Sequence, residues 1–181
     1  MKIKLIYSNG YFIGFNENEA PLLYKENFYG RPIGIGKPKT PIFTAKMQFN
    51  FYEALYLVKT NKVEVYDIEG KKLSEKEIIE EGKKYIELFE EKYLVYEDLR
   101  NKGYVIKPGM KYGVTFMVYE YGPGLDHAPF LVDVLRQDSS FSDVQIMRAG
   151  RLTHSVRKKL LITSVDTEKK KINYYLFEWF E

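Results

Sequence analysis

The stretch RAGRLTHSVRKKLLITSVD, residues 148–166, joins a run of cations to an apolar segment. The first dozen residues contain no acid, and their cations are Arg148, Arg151, Arg157, Lys158 and Lys159. Residues 160–165 are mostly apolar and are typical of a buried strand that ends at Asp166. A cationic cluster held rigidly by a core strand suits phosphate binding. The alternative is a solvated helix end, since cations favour helix C-termini.

The composition of the 181-residue chain excludes several kinds of site. Cysteine is absent, so disulfides, thiolate metal sites and a cysteine nucleophile are excluded, and a reducing, cytoplasmic location is expected. With two histidines, His127 and His154, a histidine-rich metal site cannot form within one chain. The carboxylates form no convincing metal site either, so we predict no metal and no other cofactor. The net charge of +3 is too small to indicate nucleic-acid binding by itself, and the apolar start is too short for a signal peptide or a membrane span.

The first half of the chain predicts a small α+β domain over residues 1–90. Asn9-Gly10 between two apolar runs is a strong signal of a β-hairpin. Further elements are predicted over residues 17–28 (a helix interrupted near Pro21), 48–61 (a helix), 63–66 (a strand) and from the capping box of Ser74 and Glu77 onwards (a long charged helix). We see no catalytic constellation in this half, so its default role is structural support.

The Gly/Pro-rich segment of residues 30–40 superficially resembles a phosphate-binding P-loop. The spacing fails, because Arg31 stands where a glycine is required five residues before Gly36. Pro38 also replaces the hydroxyl residue that would hold magnesium. A surface loop is therefore the better interpretation.

The second half predicts a domain over residues 91–181 with a central mixed β-sheet flanked by helices, again α+β or α/β. A helix over residues 93–102 is stopped by Gly103, and a second helix begins at a capping box of Ser142 and Gln145. Strands are predicted over residues 103–107, 112–120, 130–135, 159–166 and 172–180. In the second of these strands, alternation puts Val114, Phe116 and Val118 on one face and Thr115, Met117 and Tyr119 on the other.

Single residues in this half favour structural roles when each is weighed alone. Tyr119 ends a strand, His127 lies in a Gly/Pro loop, and His154 is expected to be packed or to cap a helix. The sequence Glu168-Lys169-Lys170 is similar to the Glu-x-Lys of metal-dependent nucleases. However, it lies in a predicted turn and lacks a paired aspartate on a preceding strand, so we discount it.

Four motifs in order change that assessment. They are Val118-Tyr119-Glu120, HAPFLV at residues 127–132, RLTHSVRKKL at residues 151–160 and INYYLFEW at residues 172–179. With these residues in this order and at this spacing, the second half resembles the archaeal tRNA-splicing endonucleases. A softer match in the first half rests on FYEALYL at residues 51–57 and on the total length.

The resemblance implies a catalytic endonuclease domain over residues 91–181 with a Tyr, His and Lys triad. Matched motif by motif, the triad falls on Tyr119 as base, His127 as acid and Lys158 as the cation that stabilises the charged phosphorus. Whether Lys158 or Lys159 faces the phosphate is decided only by the motif, which favours Lys158.

The same resemblance implies a set of RNA-binding side chains. Arg151 matches the family arginine that stacks on an extruded base, and Trp179 is a candidate for a second stacking partner or for a core tryptophan. Arg148 and Arg157 complete the basic cluster. The implied reaction is metal-independent excision of introns from precursor tRNA at bulge-helix-bulge motifs, which leaves 2′,3′-cyclic phosphate and 5′-hydroxyl ends.

The resemblance also implies assembly. A homotetramer is expected, or a heterotetramer with a second subunit type, with edge pairing through residues 174–179 and a docking loop over residues 137–140 that contains Asp138. Two alternatives stay open. In the first, the chain is a non-catalytic RNA-binding or scaffold subunit of such a complex. In the second, it is a metal-dependent nuclease with a similar sheet.

Overall fold

The computed structural model describes residues 2–36, 38–137, 140 and 142–177, and for Val156 it describes the backbone alone. The chain divides into two compact units, Met1–Phe89 and Glu90–Glu181. In the described residues each unit combines helices with one five-stranded mixed sheet, so the predicted α+β class is confirmed.

The first unit places helices on one face of its sheet. The strand order is β3-β4-β2-β1-β5, with β1 and β5 parallel and the other neighbours antiparallel. The elements are β1 (Ile3–Ser8), β2 (Tyr11–Gly14), α1 (Ala20–Asn27), β3 (Arg31–Pro32), β4 (Met47–Phe49), α2 (Phe51–Lys59), β5 (Val63–Tyr66) and α3 (Glu75–Tyr85).

Local signals set several of these elements. The predicted hairpin joins β1 to β2, and both turn residues are left-handed, with φ of 47° at Asn9 and 85° at Gly10. The predicted capping box of Ser74 and Glu77 begins α3. These local predictions are confirmed because the residues that carry them need no distant partner.

Other predictions for the first unit are wrong. Pro21 does not interrupt a helix but lies in the first turn of α1, where its missing N–H is not needed. Residues 47–49 form β4 rather than the start of a helix. Helix α2 begins only after Asn50, whose side chain accepts a 2.9 Å hydrogen bond from the amide of Glu53. The short strand β3 was not predicted.

The second unit places its sheet between two long helices. Its strand order is β10-β9-β8-β7-β6, with β8 and β9 parallel and the other neighbours antiparallel. The elements are α4 (Phe89–Asn101), β6 (Val105–Pro108), a 3₁₀ turn (Met110–Tyr112), β7 (Phe116–Tyr119), β8 (Phe130–Arg136), α5 (Asp143–Val156), β9 (Lys159–Asp166) and β10 (Lys171–Phe177).

Helix α5 is the crossover that parallel strands β8 and β9 require. It begins at the predicted capping box of Ser142 and Gln145. Its buried side packs on one face of the sheet in a cluster formed by Val114, Leu131, Ala149, Leu152, Leu160 and Ile162. On the other face the ring of Tyr96 in α4 lies 6.0 Å from that of Phe116. The candidate active site described below lies on the α5 face of the sheet.

The predicted strand over residues 112–120 is too long. Gly113, with φ of 66°, ends the 3₁₀ turn, and β7 starts only at Phe116. Val114 therefore packs under α5 with Leu131 and Ala149, on the side that Met117 also faces, and not with Phe116 as alternation predicted. The last strand is described as far as Phe177, and residues 178–180 of the prediction lie outside the described residues.

Candidate active site

The candidate active site lies where β7 ends and where β8 and β9 begin. Phe130 of β8 lies between Val118 of the antiparallel strand β7 and Lys159 of the parallel strand β9. Continuing this register by one residue brings Tyr119 and Lys158 to the same level of the sheet. Two residues that are far apart in sequence are therefore brought to the same end of the sheet, on the two strands that flank β8.

Tyr119 and Lys158 also share a face of the sheet. Met117 and Leu160 pack in the cluster beneath α5. Tyr119 lies two residues beyond Met117, and Lys158 lies two residues before Leu160, so alternation directs both side chains to the α5 side. Two strand spacings separate their backbones by about 10 Å, which two long side chains can bridge from both ends.

An aspartate closes the loop between Tyr119 and His127. The two carboxylate oxygens of Asp126 accept hydrogen bonds of 2.9 Å from the amide of Glu120 and 2.8 Å from the amide of Gly122. The amide of Asp126 in turn donates to the carbonyl of Gly122 at 3.2 Å. The loop is thereby fixed at its base, and His127 follows directly as an exposed residue.

Lys158 is tied to the segment that carries His127. Its ammonium group donates to the main-chain oxygen of Ala128, which is 3% exposed. One residue further along each strand, the amide of Lys159 donates to the oxygen of Pro129 at 3.0 Å. These two bonds bring Lys158 beside the backbone of the residue that follows His127.

The surroundings of Lys158 shift its protonation. Burial lowers the pKa of its ammonium group below the ordinary value of 10.5, the carboxylate of Asp126 opposes this shift, and the positive charge of Lys111 adds to it. The same ammonium lies 5.8 Å from the centre of the Tyr112 ring, within the range of a cation–π contact. Lys158 is therefore partly desolvated and held from two sides.

The arginines of the basic cluster lie at different distances from this edge. Arg157 is exposed at the end of α5, where its φ of 49° turns the chain into β9. Arg151 is exposed on α5, about 8 Å from the helix end at 1.5 Å per residue, and Arg148 is about 12 Å from it. Arg148 lies against Gly113, on which a β-carbon would come 2.5 Å from its Nη2 atom. Along the chain Arg157 therefore directly precedes Lys158, Arg151 and Arg148 lie further back on α5, and Arg148 contacts the residue after Tyr112.

Three residues singled out from the sequence are not placed at this site by the structure. Trp179 and Asp138 lie outside the described residues. His154 is exposed in the last turn of α5, so it does not pack in the core, and the alternative expectation that it caps the helix stays a prediction.

Sequence reasoning missed two residues that shape the site. The sequence analysis assigns no role to Asp126, although an aspartate closing a Gly/Pro loop is the residue type whose side chain bonds nearby backbone amides. Tyr112 was assigned to a strand, and its place beneath Lys158 follows from the 3₁₀ turn, for which the sequence had no clear signal.

The described residues contain neither a clustered metal site nor a membrane-spanning helix. In the part of the chain that the structure describes, no group of three or more His, Cys, Asp or Glu side chains is arranged to hold a metal ion. Within those same residues, no helix has the length and apolar character needed to cross a membrane.

The fold and the site define a class. This is a two-unit α+β protein whose second unit gathers a tyrosine, a lysine and the segment of a histidine at one sheet edge, beside exposed arginines. Residues 89–174 match the family model described as tRNA intron endonuclease, catalytic C-terminal domain. Residues 3–79 match the model described as tRNA intron endonuclease, N-terminal domain.

Curated relatives agree with these matches over nearly the whole chain. Proteins named tRNA-splicing endonuclease from Hyperthermus butylicus and Sulfurisphaera tokodaii are 43% and 42% identical over 165 residues, which is 91% of each chain. One from Saccharolobus islandicus is 38% identical over the same length and share. The chain belongs to the tRNA intron endonuclease family, and the resemblance predicted from its motifs is confirmed.

Proposed function

We propose that this protein is a catalytic subunit that excises introns from precursor tRNA, with Tyr119, His127 and Lys158 as its catalytic residues. Family membership supports the substrate class and the reaction class. The observation that carries the residue assignment is the bond from the Lys158 ammonium to Ala128, beside His127, at the edge where Tyr119 ends β7. This bond holds the ammonium group in place, as the positioning of a catalytic group requires.

The proposed reaction cuts RNA without a metal. Tyr119 takes the proton of the ribose 2′-hydroxyl, and the 2′-oxygen attacks the adjacent phosphorus. The bond between phosphorus and the 5′-oxygen breaks, and His127 donates a proton to that leaving oxygen. The products are a 2′,3′-cyclic phosphate and a 5′-hydroxyl.

Each residue type suits its step. The ordinary pKa of tyrosine is about 10, so a nearby ammonium is needed to favour the tyrosinate. Imidazole is the side chain best matched to proton donation near neutral pH. A compact ammonium in a partly desolvated site stabilises the negative charge that develops on the phosphate oxygens, which is the largest single contribution in many enzymes.

The exposed arginines form the proposed RNA contacts. Arg151 stacks on an unpaired base of a bulge-helix-bulge motif, and Arg157 contacts a phosphate next to the cut. Arg148, set back by about 12 Å along α5, contacts a more distant phosphate. Trp179 stays a candidate second stacking residue.

Tetrameric assembly is the proposed active form, because a bulge-helix-bulge contains two cut sites that two active sites must reach together. Strand β10 is the last strand of its sheet in the described order. Tyr175 and Leu176 on it are 54% and 50% exposed. An apolar edge strand of this kind suits pairing with a second subunit, either a copy of this chain or a different subunit type.

The experiment that tests the proposal is an incubation of the purified protein, in excess EDTA, with a precursor tRNA that contains a bulge-helix-bulge. Cut sites in both bulges with cyclic-phosphate ends are expected. Cleavage that requires added magnesium would contradict the metal-independent reaction. A chain that binds the RNA, with and without metal, yet never cuts it when supplied with its partner subunits would contradict the catalytic assignment.

A further inference from the structure

The sheet of the first unit has one face covered by helices and one face turned outward. Its inner face is buried, with Leu5, Phe12 and Met47 each 0% exposed. Because side chains alternate along a strand, the neighbouring residues Lys4 and Tyr11 point to the opposite side. Both are exposed.

A continuous row of outward residues crosses all five strands. The register pairs Arg31 with Gln48, Gln48 with Ile13, Ile13 with Ile6, and Ile6 with Tyr66. At one end of this row, the Nε and Nη2 atoms of Arg31 donate to the side-chain oxygen of Gln48 at 3.0 and 2.6 Å. The row therefore forms a continuous surface of aliphatic, amide and aromatic side chains.

Beside this row, an exposed phenylalanine lies between two lysines. Phe15 directly follows β2 and is 54% exposed. The pairing of Gly14 with Met47 places Phe15 next to Lys46, whose Nζ lies 5.7 Å from the centre of the Phe15 ring. Continuing the β1–β2 register places Lys4 on its other side.

Two tyrosines extend the aromatic surface. The Nζ atom of Lys4 lies 4.5 Å from the centre of the Tyr66 ring. Tyr11, four residues before Phe15 on the same face, is 55% exposed and lies about 13 Å along the strand. We name the set of Lys4, Tyr11, Phe15, Lys46 and Tyr66 the outer sheet face.

The charge on this face is positive. Lys4 and Lys46 belong to it, and Arg31 lies at its margin. Among the described strand residues that point outward, the one acid is Glu64, and it is already paired with Lys72 at 2.7 Å and accepts from the Tyr66 hydroxyl at 2.9 Å. Exposed rings flanked by cations match a ligand that is both aromatic and anionic.

We propose that the outer sheet face binds unpaired nucleotides of RNA. Bases stack on aromatic rings presented by an open sheet, and neighbouring lysines contact the phosphates that link them. The lysines that flank these rings favour RNA over a protein partner, because the central part of a protein–protein interface is depleted of charged residues. The identity of the RNA as precursor tRNA rests on the proposed function, but the binding of unpaired RNA does not.

The test uses the full-length protein and a fluorescent single-stranded RNA octamer without tRNA structure, and fluorescence anisotropy reports binding. Phe15→Ala is expected to weaken binding by about 5- to 150-fold, the range for loss of one base–ring stack. Phe15→Tyr keeps a ring and is expected to retain binding. The Lys4→Ala/Lys46→Ala double variant is expected to weaken binding and to reduce the slope of log affinity against log salt by about 1.4.

The matched control is Leu22→Ala. Leu22 lies on α1 of the same unit and is 53% exposed, almost the same fraction as Phe15. Equal loss of binding in Leu22→Ala and Phe15→Ala, or unchanged binding in Phe15→Ala, would overturn the proposal. A change of oligomer mass in Phe15→Ala without loss of RNA binding would also overturn it and would assign the face to a protein partner.

Cleavage assays separate this proposal from the proposed function. If the protein never cuts precursor tRNA but its octamer binding depends on Phe15, the outer sheet face stands and the proposed function fails. If the protein cuts precursor tRNA normally and Phe15→Ala leaves octamer binding unchanged, the proposed function stands and the proposal for the outer sheet face fails. In a working enzyme, Phe15→Ala is expected to raise KM for precursor tRNA and to leave kcat unchanged.

Discussion

The ammonium group of Lys158 donates a hydrogen bond to the main-chain oxygen of Ala128, the residue that follows His127. This bond links the start of β9 to the segment that precedes β8, and parallel pairing of the two strands continues from there. The position of the lysine is therefore set by backbone structure rather than by flexible side chains. A charge fixed in this way costs little reorganisation when a phosphate becomes more negative during reaction.

Substitutions should distinguish the role of Lys158 in cleavage from that of its neighbour Lys159. Lys158→Ala is expected to lower the single-turnover rate of precursor-tRNA cleavage by about 10²- to 10³-fold, the usual cost of one stabilising group. Lys159→Ala is the matched control, because alternation directs its side chain to the other face. Equal losses in the two variants, or full activity in Lys158→Ala, would contradict the assignment. RNA binding is measured in parallel and should persist in both.

The protonation of Lys158 can be measured directly. In a pH titration of protein with ¹³C-labelled lysine ε-carbons, one lysine should lose its proton below the ordinary pKa of 10.5, and its signal should be missing in Lys158→Arg. Asp126→Asn removes a charge that favours the ammonium form, so it should lower this pKa further. A signal that titrates at or above 10.5, or one that rises in Asp126→Asn, would contradict burial as the dominant cause.

The sequence predicts those parts of the fold that depend on neighbouring residues. The Asn9-Gly10 hairpin and the capping boxes at Ser74 and Ser142 each need only a few adjacent positions, and all are present. The strand β9 has a long apolar run with one charged residue at each end, so its bounds were predicted correctly.

The missed elements are short and depend on distant partners. β3 and β4 have two and three residues, too few to show a period, and exist because each pairs with a neighbouring strand. Helix propensity around Gln48 suggested a helix, but pairing with Ile13 keeps it extended. Val114 was given the wrong face because the 3₁₀ turn before it interrupts the alternation.

For the site, motifs could nominate residues but could not explain their positions. Nothing in the spacing of Tyr119, His127 and Lys158 shows that β7 and β9 both flank β8, and that arrangement is what brings the first and last of them to one edge. The role of Asp126 likewise depends on the loop folding back onto the amides of Glu120 and Gly122.

Asp126 is expected to act as a positioning residue for His127. Asp126→Ala leaves two loop amides without their acceptor, so the loop base loosens and His127 shifts. A displacement of about 1 Å can cost on the order of 10²-fold in rate, so kcat should fall by more than the lower unfolding midpoint explains, while KM changes little. Asp126→Asn keeps a side-chain oxygen and should restore part of the rate. A fall in unfolding midpoint that fully accounts for lost activity, or no difference between Ala and Asn, would contradict a positioning role.

Glu77 should contribute to the acid sensitivity of the first unit. Its carboxylate accepts bonds of 2.8 Å from both the amide and the hydroxyl of Ser74. Its pKa falls from 4.5 to about 2, first because of its bond with Lys71 and then because of Ser74. Between pH 4.5 and about 2, the carboxylate of Glu77 stays ionised in the folded state, whereas in the unfolded chain it takes up a proton. The stabilisation is therefore complete above pH 4.5 and is lost as the pH falls through about 2.

Glu77→Gln keeps the shape of the capping box but cannot titrate. In thermal or denaturant unfolding followed by circular dichroism, the wild-type protein should be more stable than Glu77→Gln above pH 4.5, and the difference should shrink steadily towards pH 2. The matched control is Glu75→Gln, in the same first turn of α3 but outside the capping box. Because a helix-dipole contribution is shared by both carboxylates, a difference that shrinks equally in the two variants would assign the acid sensitivity to the helix terminus and not to the bonds with Lys71 and Ser74.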